Sequence, residues 1–373
     1  MNNSFGHNFR VTTFGESHGT GLGVIIDGCP AGLALTTAQV QEELDLRKPG
    51  TTNITTSRKE SDVIQILSGV YDGRTLGTSI GMVIYNADAK SGHYDDLKDL
   101  YRPGHADFTY DARFGFRDHR GGGRASNREA VGRVAAGAVA KVLLQELIGT
   151  SCLSWVEQVH TIKADIDMDL VTKAMIESND VRCPDPKVSA QMIQAILDAK
   201  TAGDSLGGQI QFMVPGLPAG LGAPVFDKLT ADIAKALMSI AASRSVSFGL
   251  GDQAGLLKGS EHNDPFVLKG EKIGTSSNRA GGVLGGMSNG EPLWGHVSFK
   301  PTATLMVDQQ TVTSGHVETH FKARGRHDPC VLPRAVPNVD AMVNLVLADH
   351  VLRYTTATVD RIKGALSVEK QEL

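Results

Sequence analysis

The first periodic segment is a short apolar run, Gly23 to Asp27 (GVIID), which predicts a strand leading into the turn GCPAGL. A helix follows over about Thr37 to Arg47, because Thr36-x-x-Gln39 at its start fits a capping box that satisfies two orphan N–H donors reciprocally. Much later, FMVPGLPAGL at 212–221 feeds a second helix, about Asp227 to Ser239, with Leu229, Ile233, Leu237 and Ile240 at helical spacing. PAGL therefore occurs at two matching strand-to-helix junctions, 30–33 and 218–221. Strand-like SIGMVIYNADA (79–89) and PLWGHVSFKPTA (292–303) each follow a glycine-rich turn. Each half then closes on an apolar helix, about Asn127 to Leu147 and about Val339 to Arg353.

These parallels predict a degenerate internal duplication, with halves at about 1–150 and 205–360 inside one domain spanning 1–373. Turns, not regular crossover helices, separate the strands. The expected class is α+β, with largely antiparallel β-sheet layers and helices on the outside.

Composition agrees with a globular chain: 373 residues, 41% hydrophobic and 21% charged. Glycine is frequent, at 42 residues, which suits many tight turns or close approaches of backbone to a ligand. Net charge is −4, so no global field favours nucleic acid or an anionic membrane. The N-terminus has no basic segment followed by an apolar run, and no window approaches a membrane span, which places the chain in the cytoplasm. Cys29, Cys152, Cys183 and Cys330 form no CxxC pair and read as reduced, structural thiols.

Charge is uneven along the chain. Between Arg102 and Arg133 lie seven arginines, no lysine and four acids, Asp107, Asp111, Asp118 and Glu129. A planar guanidinium matches phosphate and carboxylate bidentately, so this stretch points to recognition of such anions. Within it, RGGGRAS (120–126) sets a glycine loop before Ser126-x-x-Glu129, a second capping-box pattern, and a helix N-terminus with unpaired N–H groups suits an anion. YRPGHAD (101–107) displays Arg102 and His105 on a turn, FGESHG (14–19) displays Ser17 and His18, and ARGRHDPCVLPRAVP (323–337) displays Arg326, Asp328 and Arg334. Histidine exchanges protons most readily near neutral pH, so both histidines are candidate acid–base groups. NRAGGVLGGMSNG (278–290) and FKPTAT (299–304) add glycine-lined backbone and Lys300. His316-x-x-x-His320 would place two imidazoles together only on a helix, whereas its surroundings read as strand and turn, so a metal site is not expected. GTGLGV (19–24) lacks the last glycine of a dinucleotide fingerprint.

Taken in order, FRVTTFGESHG, RPGHAD, RGGGRAS, VPGLPAGLG, AGGVLGG, FKPT and GRHDPCVLPRAVP resemble the signatures of the chorismate synthase family along nearly the whole chain. The resemblance implies a shikimate-pathway lyase that converts 5-enolpyruvylshikimate 3-phosphate to chorismate and phosphate by anti-1,4-elimination, in aromatic amino acid biosynthesis. It also implies an α/β sandwich of duplicated halves, a homotetramer, and dependence on reduced FMN without net redox change, with NADPH as a candidate external reductant. In that family the flavin donates an electron transiently to help expel phosphate. By motif, His18 would protonate the departing phosphate, His105 would protonate or hydrogen-bond the reduced flavin near N1, and Asp328 would act with flavin N5 on the ring proton. Ser17 and Ser126 would hold the network.

Flavin contacts carry over to Arg124, Ala125, Ser126, Ala241, Ala242, Gly285, Lys300, Pro301, Thr302, Ala303, Thr304 and Arg326. Substrate arginines carry over to Arg47, Arg102, Arg128, Arg133 and Arg334. The chain departs from the family pattern at Asn53, where an arginine commonly stands, at SIAASRSV (239–246), and at Arg279. The competing reading, an RNA-binding arginine-glycine tract, is opposed by the acidic balance, the single short tract and the lack of aromatics arranged for base stacking.

Overall fold

The computed structural model describes residues 3–48, 50, 52–55, 62–86, 97–323 and 328–367. Two antiparallel five-stranded sheets frame it. The first contains β1 (Ser4–Phe5), β2 (Arg10–Gly15), β3 (Gly21–Asp27), β4 (Gln65–Ile66) and β5 (Ile80–Tyr85), in the order β1-β2-β3-β5-β4. The second contains β6 (Leu153–Val159), β7 (Ile162–Lys163), β8 (Gly208–Val214), β9 (Ser243–Phe248) and β10 (Leu293–Phe299), in the order β9-β10-β8-β6-β7. The main helices are α1 (Thr37–Arg47), α2 (Asp107–Phe114), α3 (Ala130–Ile148), α4 (Pro186–Ala202), α5 (Leu229–Met238) and α6 (Leu332–Tyr354).

The α+β class and the antiparallel pairing are as expected. The position of the long helices is the reverse of the expectation. α3 packs on β2, β3 and β5, α6 packs on β6 and β8, and the two helices pack on each other, so both lie between the sheets. The reason is in their composition: α6 is buried almost continuously from Leu332 to Val351, and α3 buries Val131, Val134, Ala135, Ala136, Gly137 and Ala140 around its circumference. A helix that is apolar all round has no face for water and is stable only inside. A single hydrophobic cluster accordingly joins Val24 and Ile80 of the first sheet to Phe212 and Val297 of the second through these helices.

The outer faces differ. On the first sheet Phe14, Ile25 and Tyr85 remain exposed, whereas Trp155 and Met213 on the second are covered by Val171 and Ile176.

Local patterns mostly held. The capping box on α1 is formed both ways, with the Thr36 N–H donating to Gln39 Oε1 at 2.8 Å and the Gln39 N–H donating to Thr36 Oγ1 at 3.3 Å. Leu229, Ile233 and Leu237 of α5 are fully buried. α6, however, begins seven residues before the predicted Val339, at Leu332. Pro333 sits in its first turn, where a missing N–H costs nothing, and Pro337 is carried within a helix clamped by the core on all sides. All four cysteines are free and buried, and burial pushes the Cys330 thiol up to about 12 and those of Cys29 and Cys183 to about 11, so they are inert at neutral pH. His316 and His320 fall on a turn and a strand, not on one helix, as the sequence suggested. Among the described residues no helix is long and apolar enough to cross a membrane.

The two long helices approach closely at Gly137 of α3, where an added Cβ would lie 2.3 Å from Ala341 Cβ and 2.5 Å from its Cα on α6. Gly137→Val overpacks this contact and should lower stability by about 1–3 kcal/mol. Urea denaturation checks it: a midpoint equal to that of the parent would show that the helices can part at no cost.

Candidate active site

Two loops meet at the glycine loop 121–123, and a third packs on the second of them at Gly104. The first is the connection between β2 and β3, which carries Glu16, Ser17 and His18. A Cβ on Gly121 would lie 2.0 Å from His18 Cε1, and one on Gly123 would lie 2.6 Å from Glu16 Oε2, at φ of 68° and 52°. Only glycine combines that backbone with that proximity. Ser17 Oγ is 3.0 Å from His18 Nδ1, and burial raises the Glu16 carboxyl above its ordinary range.

The second loop precedes α2. Its Arg102 guanidinium lies beside Gly122, with Nη2 3.7 Å from where a Cβ would be. Asp107 holds that guanidinium bidentately, accepting from Nε and Nη2 at 2.7 Å each; burial alone would raise the Asp107 carboxyl, but Arg102 keeps it below its ordinary range. His105 Nδ1 is 3.0 Å from the Pro103 carbonyl, which only accepts, so Nδ1 carries the proton and Nε2 accepts from Thr304 Oγ1 at 3.0 Å. Burial, then the positive charge of Arg102, lowers the His105 pKa, which makes this neutral tautomer the resting state.

The third loop runs from Lys300 to Thr304. The Lys300 N–H donates to the Ala242 carbonyl and its Nζ to the Gly104 carbonyl, both at 3.0 Å, and burial lowers its pKa. Pro301 passes against Gly207, Ala303 packs on Gly104, and Thr302 Oγ1 donates to the Asp328 carbonyl at 2.7 Å. Asp328 in turn accepts from Arg334 Nη1 at 2.5 Å, and Arg334 Nε donates to the Arg47 carbonyl at 3.3 Å.

Beyond the glycine loop, Ser126 Oγ accepts from the Arg128 N–H at 3.3 Å, not from that of Glu129, and two short 3₁₀ turns, Gly123–Ala125 and Asn127–Glu129, precede α3. The second capping box is therefore not formed reciprocally. Glu129 is taken by stronger partners: Thr13 Oγ1 donates to it at 2.8 Å, Arg133 Nε at 2.7 Å, and Arg124 Nη2 lies at 3.6 Å. Arg133 also donates to Ser239 Oγ at 2.6 Å. Between these segments opens a cleft of about 240 Å³ lined by Arg124, Ala125, Ser126, Arg133, Ser239 and Ala241, among others.

Most of the residues singled out from sequence are thus brought together. Gly285 is not: it is the tip of the hairpin Val283–Leu284 and Met287–Ser288, whose Gly286 carbonyl accepts from Leu229 at the far end of α5 from Ser239. Arg326 lies outside the described residues. Asn53, where the missing arginine would stand, offers its carbonyl to Lys200 Nζ at 2.7 Å. Sequence reasoning missed Asp62 and Asn86. Asp62, fully buried, accepts from Arg47 Nη1 at 2.8 Å and pairs with Arg128; Asn86 accepts from Arg128 Nε at 3.2 Å.

The family model for chorismate synthase matches residues 9–352. The chain belongs to the chorismate synthase family. A chorismate synthase of Prochlorococcus marinus (strain MIT 9312) is 54% identical over 354 residues, covering 94% of this chain and 97% of its own length. That of Akkermansia muciniphila is 52% identical, covering 95% and 98%. A crystal structure of a chorismate synthase matches with a TM-score of 0.73 at 28% identity, over 96% of both chains. Membership of the chorismate synthase family makes the chain a shikimate-pathway enzyme with a small-molecule substrate.

Two outcomes follow for this chorismate synthase fold. Gly121→Ala forces the His18 ring away and should cut chorismate formation by about 10-fold or more, since small misplacements of a reacting group are expensive; a parental rate would separate His18 from the glycine loop. For His105, a folded pKa below the ordinary 6.5 means that its neutral ring contributes stability above that pH, lost as pH falls to the folded value. Ring ¹⁵N spectra should show a neutral imidazole protonated on Nδ1 at pH 6.5, and titration at or above that pH would contradict the geometry.

Proposed function

We propose that this chain converts 5-enolpyruvylshikimate 3-phosphate to chorismate and phosphate by anti-1,4-elimination, using reduced FMN. The observation that carries the reading is the glycine loop itself, which packs the His18 turn on one side and Arg102, three residues before His105, on the other. Elimination breaks a ring C–H bond and the C–O bond to phosphate, forms a C=C bond, and releases one proton and one phosphate. The protein must therefore hold a phosphate and two carboxylates, and provide proton-transfer groups on both sides of the ring.

The residues fit a flavin. The cleft between Arg124–Ser126 and Ser239–Ala241 offers a guanidinium, hydroxyls and small alanine side chains, and Ala242, next in the chain, accepts from the Lys300 N–H of the Lys300–Thr304 loop. Reduced FMN bound there would supply transient electron density that helps expel phosphate and is recovered at the end. Arg47, Arg102, Arg128 and Arg334 would neutralise the substrate anions, with Arg133 at the cleft. His18, oriented by Ser17 and Gly121, would deliver a proton to the departing phosphate oxygen. His105 is held with a lone pair on Nε2 that accepts from Thr304 Oγ1, and it would hydrogen-bond the reduced flavin, or protonate it after first taking up a proton at Nε2. Asp328, beside Arg334, would receive the ring proton.

The same proposal takes the halves at about 1–150 and 205–360 as degenerate copies, the first holding the whole first sheet and α3, the second holding α6 and three of the five strands of the other sheet, in a cytoplasmic homotetramer. NADPH would serve as an external reductant of the flavin.

Anaerobic incubation with chemically reduced FMN and 5-enolpyruvylshikimate 3-phosphate should release chorismate and phosphate in equal amounts, and no turnover would overturn the proposal. His18→Ala and His105→Ala should each lose at least about 10²-fold in rate. A near-parental rate for either would remove that histidine from proton transfer, and steady NADPH consumption without substrate would point instead to a flavin reductase.

A further inference from the structure

We infer that Asn86 is a positioning residue that couples the Ser17–His18 turn to Arg128, so that one amide sets both the His18 imidazole and an anion-binding guanidinium. For the roles of those two groups the inference rests on the proposed lyase reaction. β5 ends at Tyr85, paired with Gly21, and the following Asn86 N–H still donates to the Thr20 carbonyl at 3.0 Å. β5 therefore runs on by one residue beneath the β2–β3 connection, and the Asn86 side chain enters the concave side of that turn.

Its Nδ2 donates to the Gly19 carbonyl at 2.8 Å, with longer contacts to the carbonyls of Ser17 at 3.3 Å and Glu16 at 3.4 Å. Two N–H groups cannot saturate three acceptors, so the Gly19 bond is the main one and the others share. The opposite end, Oδ1, accepts from Arg128 Nε at 3.2 Å and Nη2 at 3.1 Å. This settles the amide's orientation: turned over, it would set N–H against guanidinium N–H and oxygen against three carbonyl oxygens. Arg128 pairs on with Asp62, which also holds Arg47. The chain of contacts thus runs from the His18 turn through Asn86 to two of the arginines that face the substrate in the proposed reaction.

Asn86 touches no reacting atom in this scheme and acts through His18 and Arg128. Asn86→Ala should lower kcat about 10- to 10²-fold, because it frees the turn that aims the imidazole. In a His18→Ala background the same change should cost less than about 2-fold further in kcat, since residues that act through one another do not add. Asn86→Asp is isosteric, keeps an acceptor for Arg128 and lacks the same N–H donors; it should show the same non-additivity and replaces the alanine variant if that one does not fold. A second readout needs no turnover: the His18 ring resonances and their titration, followed by ¹H–¹⁵N spectra of the protein alone, should shift in either Asn86 variant. Losses that multiply in the double variant, or His18 resonances that stay in place, would make Asn86 a structural residue only and overturn the inference. Absence of turnover in the parent would overturn the lyase reading instead, and the His18 spectra would then decide on Asn86.

Discussion

Three consecutive residues without side chains, Gly121 to Gly123, allow the Glu16–His18 turn, the Arg102 loop and the start of α3 to share one small volume. Each left-handed glycine removes a Cβ that would collide with Glu16 or His18 or crowd Arg102. The turn closes a hairpin of the first sheet and the Arg102 loop precedes α2, while the Lys300–Thr304 loop, which follows β10 of the second sheet, packs on the Arg102 loop at Gly104. Their meeting point is fixed because α3 and α6 cross at Gly137 and Ala341, which sets the separation of the sheets that carry them. The same residue type thus acts twice, once to bring helices together and once to bring loops together.

Close approach concentrates positive charge, and the carboxylates around it keep that charge bearable. Asp62 serves Arg47 and Arg128, Glu129 serves Arg124 and Arg133, Asp107 serves Arg102 and Asp328 serves Arg334, so in these contacts six guanidiniums share four carboxylates. Near a protein surface two unit charges 4 Å apart interact by about 4 kcal/mol, so guanidiniums gathered in this way pull strongly on an anion that comes within reach. The proposed substrate, with a phosphate and two carboxylates, would be such a ligand. His105 remains neutral for the same reason, as Arg102 and burial both oppose a further positive charge.

Much of this was legible in the sequence because it is local. The Thr36–Gln39 cap, the 3.6-residue spacing of Leu229, Ile233 and Leu237, and the turns that display His18 and His105 all depend on neighbours within a few residues. What was not legible depends on partners far away. Glu129 fits a capping pattern with Ser126, but Arg124, Arg133 and the distant Thr13 offer it stronger bonds. Asp62 and Asn86 stand in no motif, and their value comes from Arg128, 66 and 42 residues later in the chain. The long helices were expected outside because strands separated by turns, and not by regular crossover helices, suggest antiparallel layers with the helices grouped on their outer faces. Their apolar circumference, continuous across Pro333 and Pro337 in α6, is what draws them between the sheets.

The most direct measurement is a crystal structure of the chain with FMN and 5-enolpyruvylshikimate 3-phosphate both bound. The account predicts the flavin between Arg124–Ser126 and Ser239–Ala242, with His18 in hydrogen-bonding reach of the substrate phosphate and the substrate anions on Arg47, Arg102, Arg128 and Arg334. Ligands bound away from the glycine loop, or a substrate phosphate out of reach of His18, would contradict it.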